Sequence, residues 1–78
     1  MKTRLPELSA RELLALNLLS LRRARGLSQE ALAFEAQLHR TFVAHVERRA
    51  RNISLDNVEA LAKALNVSMA DLFAPPPR

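Results

Sequence analysis

Arg40, Thr41, Ala44, His45 and Arg48 recur at steps of one, three and four residues, which on a helix return to one side. A guanidinium can donate two parallel hydrogen bonds to acceptors on one planar edge, a hydroxyl donates or accepts, and an imidazole donates to an acceptor or an anion. Ala44 between them lets a helix axis come close to whatever they touch; equally, it is a good helix former. The pattern suits the reading of a polar edge more than catalysis. His39 and His45 are six residues apart, so on one helix they would point in different directions and could not share a metal, and no third ligand is evident. The chain offers no glycine-rich phosphate loop, no paired carboxylates in an evident pocket and no Ser, His and acid arrangement in a recognisable context. No enzymatic activity, catalytic residue, metal or cofactor is expected.

Two short helical patterns must position these residues. Ser28 caps the first, whose apolar positions are Leu32, Ala33 and Ala36; the second runs over about 39–48, with Val43 and Val46 facing inward. Helices joined so closely pack crosswise. That is a helix-turn-helix, whose second helix can enter the major groove of DNA. There Arg40 can meet guanine O6 and N7, Thr41 and Ala44 a base edge or thymine methyl, and His45 an acceptor or phosphate.

Three more helices frame the pair. Ser9 and Glu12 have the spacing of a capping box, starting a helix that lasts to about Arg25 and stops at Gly26, the sole glycine. Ser54 caps a fourth with Leu55, Val58, Leu61, Ala62 and Leu65 as its core face, ended by Asn66 in the left-handed conformation. Ser68 caps a fifth over 69–73, stopped by prolines. No stretch alternates with period two. The expectation is an all-α, compact five-helix bundle, divided into an N-terminal extension (1–8), a DNA-binding domain (9–74) and a disordered proline-rich tail (75–78).

The charge is placed to match. The 78 residues carry 12 Lys and Arg against 8 Asp and Glu, a net charge of +4. Between Arg22 and Arg51 stand Arg22, Arg23, Arg25, Arg40, Arg48, Arg49 and Arg51 against Glu30, Glu35 and Glu47, whereas beyond Arg51 acids outnumber bases. A solvated charged surface is the ordinary reading of such a run; around a helix pair, a polyanion partner is the better one. A chain this short buries only about 60% of its unfolded surface, so a partner covering apolar area would help. No cysteine supplies a disulfide, and no apolar run nears the ~18 residues that span a bilayer. A cytoplasmic protein without a membrane partner or small-molecule ligand is expected.

The segment Leu21 to Glu30, together with Ala33, Val43, Val46, Glu47 and Ala62 to Val67, resembles the Xre/Cro-type helix-turn-helix of phage repressors and small bacterial regulators, the lambda repressor-like domain. Leu38 to Val43, leading into Glu47, Arg48 and Arg51 to Ser54, is most similar to restriction-modification controller proteins. The resemblance implies a homodimer on a near-palindromic operator. It implies phosphate contacts at the helix start by Ser28 and Gln29, and along the following loop by Arg48, Arg49, Arg51 and Asn52. His39 would cap the recognition helix, touch phosphate or contact a base. Arg22 and Glu47 match positions joined by a structural ion pair. Met69, Leu72 and Phe73 are the first choice for the dimer interface, with a second stripe on helix one, Leu13, Leu16 and Leu19, as a rival. Phe42 is expected to pack against neighbouring helices, and Phe34 and Phe73 to serve the core or an interface. Gln37 and Arg49 stand where the family usually has glycine, at turns that often need positive φ. An antitoxin-type autoregulator and a protein-docking module without DNA are the alternative functions.

Overall fold

The computed structural model describes residues 8–49 and 52–75. Five helices follow one another: α1 (Ala10–Ala24), α2 (Gln29–Ala36), α3 (Phe42–Glu47), α4 (Leu55–Leu65) and α5 (Met69–Leu72). Packing joins α2 to both α3 and α4, and α1 to α3 and α5.

Local sequence sets nearly every helix end. Ser9, Ser28, Ser54 and Ser68 are extended N-caps, each accepting the N–H three residues on, at 2.9–3.1 Å. Each satisfies a donor that the first turn leaves unpaired. Glu12 and Asp71 reach back to the N-cap N–H and complete capping boxes. The far ends repeat a different device. Gly26, Gln37 and Asn66 adopt left-handed backbone, with φ of 70°, 60° and 59°. The apolar residue after each, Leu27, Leu38 or Val67, donates its N–H to the carbonyl five residues back and packs against the core. These are Schellman ends with their hydrophobic contact.

The core is aliphatic. Leu14, Leu18, Leu32, Val43, Leu61 and Leu72 lie below 2% exposure, one or two from each helix. Asn17 donates to the Leu72 and Ala74 carbonyls at 3.0 and 2.9 Å, fastening α5 to α1. Arg25 similarly donates to the Ala64 carbonyl near the end of α4.

Several expectations need correction. Leu55 is 74% exposed: it has the right angular phase for the α4 core face but sits on the helix's first residue, which overhangs the core. Phe34 is 82% exposed, which removes its core reading and leaves the interface one, because Leu32, Ala33 and Ala36 occupy the side of α2 that faces inward. Leu72 is fully buried and fills the core, so of the three residues expected at an interface only Met69 and Phe73 reach the surface. Phe42 is half-buried against the core, as expected. The stripe of Leu14, Leu18 and Leu21 faces inward, while Leu16 in the rival stripe is 48% exposed. The proline-rich tail from Pro76 and the N-terminal extension up to Glu7 lie outside the described residues.

Candidate nucleic-acid interface

The α2–α3 pair is built around two valines. Val43 and Val46 are 0% and 2% exposed, so α3 is anchored by one face and its opposite face is turned outward. Arg40, Thr41 and Arg48 are exposed, and Ala44 and His45 are half-buried between them. The guanidinium groups of Arg40 and Arg48 make no hydrogen bond or ion pair to another described residue.

The helix is shorter than expected. It begins at Phe42, with Thr41 rather than His39 as its N-cap, and ends at Glu47, leaving Arg40 in the entry turn and Arg48 at the exit. Thr41 has helical backbone and makes no side-chain cap; His39 substitutes for it. The His39 Nδ1 accepts the Thr41 N–H at 3.1 Å and bonds the Thr41 hydroxyl at 2.8 Å. An N–H donor makes Nδ1 the acceptor, so the ring proton of the neutral imidazole sits on Nε2. Because His39 precedes the helix, the two histidines do not share one helix as expected; both border one depression of about 240 Å³, with Thr41 and Phe42. Among the described residues no group of three or more His, Cys, Asp or Glu is placed to hold a metal.

A buried polar knot fixes α3 against its neighbours. Glu47 Oε2 accepts from Arg22 Nε at 2.7 Å, and Oε1 accepts from Arg22 Nη2 at 3.2 Å and Gln29 Nε2 at 2.7 Å. Arg22 Nη1 donates to the Leu27 carbonyl at 2.8 Å. With side chains only 11% and 7% exposed, this pair must be well hydrogen-bonded to offset its desolvation, and it is. The knot joins α1, α2 and α3 by one carboxylate. The ion pair was legible as a family position; the inward hydrogen bond of Gln29 was not, and it leaves that amide one further N–H.

The loop after α3 is also tied down. Arg49 takes φ 58° and donates to Glu12 Oε2 at 3.3 Å, while Asn52 accepts from the Arg11 guanidinium. No sequence signal pointed to either link, since they join residues 37 and 41 positions apart. Arg51 lies outside the described residues. Of the clustered arginines, Arg22, Arg25 and Arg49 are therefore engaged within the chain, whereas Arg23, Arg40 and Arg48 are exposed without such a partner among the described residues.

A helix pair of this kind, with a buried bracing knot and an outward polar face, defines a class, and residues 18–72 match the helix-turn-helix family HTH_3. The chain belongs to that family of regulators. It is similar to control protein C.BamHI of Bacillus amyloliquefaciens, 56% identical over 48 residues, which cover 62% of this chain and 59% of that protein, less than two thirds of its length. Control protein C.SmaI of Serratia marcescens is 48% identical over 63 residues, covering 81% and 75% of the two chains. Among solved structures, a hypothetical transcription factor, NHTF, from Neisseria superposes with a TM-score of 0.86 at 42% identity, over 97% of this chain and 88% of that one. The restriction-modification controller protein C.AhdI of Aeromonas hydrophila gives 0.77 at 46% identity, over 81% and 96%. Within its family, this chain is closely related to restriction-modification controller proteins, which are regulators and not enzymes.

Proposed function

We propose that the protein is a sequence-specific regulator of transcription that binds double-stranded DNA as a homodimer, inserting residues 40–48 into successive major grooves of a near-palindromic operator about 34 Å apart. The observation that carries this reading is the outward face of α3. Its inner face is locked by Val43, Val46 and the Glu47 knot, while Arg40, Thr41 and Arg48 stand exposed beside half-buried Ala44 and His45. A rigid helix presenting a short polar row suits the base edges of the major groove. Arg40 is assigned to guanine, Thr41, Ala44 and His45 to neighbouring base edges or methyls. Backbone phosphates fall to Ser28, Gln29, His39, Arg48, Arg49, Arg51 and Asn52, which hold register without reading sequence.

The likeness to control proteins favours control of restriction and modification genes over the antitoxin alternative. Dimerisation is assigned to Met69 and Phe73; Phe73 also lines a groove of about 430 Å³ together with the exposed Leu55. A surface with Leu55 74% in water gains by being covered. The test is titration of a bound duplex and its single-base-pair variants with wild type and Arg40→Ala. The substitution should weaken the preferred duplex by ~1–3 kcal/mol and flatten discrimination at one base pair. An equal loss on scrambled duplex would assign Arg40 to the backbone.

A further inference from the structure

We propose that Glu12 restrains DNA binding by holding the Arg49 guanidinium, so that a phosphate must displace a carboxylate before Arg49 can engage it. This rests on the DNA-binding reading above. Arg49 follows the C-cap of α3 directly, and its guanidinium lies 3.3 Å from Glu12 Oε2. The carboxylate is not a loose surface group. Its other oxygen accepts the Ser9 N–H at 2.9 Å, so the capping box of α1 orients the acid that meets Arg49. The adjacent Arg11 to Asn52 hydrogen bond ties the far side of the same loop to the same first turn.

Two consecutive α1 residues thus grip the loop. The pair is half exposed, with side chains 54% and 34% accessible, which makes it weak enough to yield to a phosphate and strong enough to oppose it. While Glu12 holds the guanidinium, Arg49 neutralises no phosphate and releases no counterion from DNA, so it adds little to the salt dependence of the wild type.

The test measures duplex affinity across a salt series for wild type, Glu12→Gln and Glu12→Asp, each also carrying Arg49→Gln, with thermal unfolding of every variant. Glutamine keeps an oxygen for the Ser9 N–H, and aspartate already completes the capping box of α5 at Asp71. Aspartate preserves net charge while withdrawing the carboxylate by one methylene. Both variants should bind matched and scrambled duplexes about two- to fivefold more tightly at low salt. The slope of log K against log salt should steepen by up to ~0.9, and both effects should vanish with Arg49→Gln. Unchanged affinity, a gain for glutamine alone, or a gain that survives Arg49→Gln would overturn the restraint. A wild type that binds no duplex would overturn the proposed function itself, and the restraint with it.

Discussion

Glu47 carries more of the recognition helix's placement than any other polar residue. Its carboxylate receives three N–H groups from two helices, at 2.7–3.2 Å and almost out of water. Glu47→Ala would leave the Arg22 guanidinium buried with the Leu27 carbonyl as its remaining partner. Urea unfolding should report a loss of ~3–5 kcal/mol, and the paired replacement Arg22→Met with Glu47→Leu should recover most of it. Removing Lys63 from its exposed pair with Glu59 should cost less than ~0.5 kcal/mol, because that 3.9 Å contact lies in water. A small loss at Glu47 would mean that the valines alone hold α3. At this scale the sequence was partly legible. The Arg22 and Glu47 pairing could be inferred from their family positions, but the inward hydrogen bond of Gln29 depends on where the crossing helices bring it. Leu72 and Met69 carry the same apolar signal; only the packed fold makes one core and leaves the other at the surface.

Helix ends are where sequence and structure agree most closely. Serine caps and left-handed stops act within five residues, so no tertiary information is needed to place them. Recognition helix α3 is the exception: its entry lacks a side-chain cap from Thr41, and the turn is held by the His39 ring instead, a contact outside the usual cap signals. The left-handed residues carry a measurable penalty. Gln37 has a Cβ at φ 60°, where glycine would relieve ~1 kcal/mol, so Gln37→Gly should raise Tm by about 4–8 °C. Gly26→Ala should lower it by a comparable amount through the backbone alone, since an added Cβ would meet no atom within 4 Å. Should both changes leave Tm unmoved, these ends would not hold the left-handed conformation in solution.

The molecule as a whole is a helix-turn-helix on a small core, with apolar surface left at Leu16, Phe34 and Leu55. The all-α class followed from periodicity, but surface exposure did not, because periodicity gives an angle around a helix and not what lies beyond its end. If Met69 and Phe73 join two copies, sedimentation should give twice the 8.7 kDa chain mass, and Met69→Asp should shift it toward one copy while weakening duplex binding. An unchanged dimer would transfer the interface to Leu13, Leu16 and Leu19. Selection of bound duplexes from a random pool decides whether α3 reads DNA sequence. The expected result is enrichment of a near-palindrome whose half-site centres lie one helical turn apart, bound ~10³-fold or more above a scrambled duplex at physiological salt. Recovery of no common sequence, with binding that fades equally for all duplexes as salt rises, would contradict it.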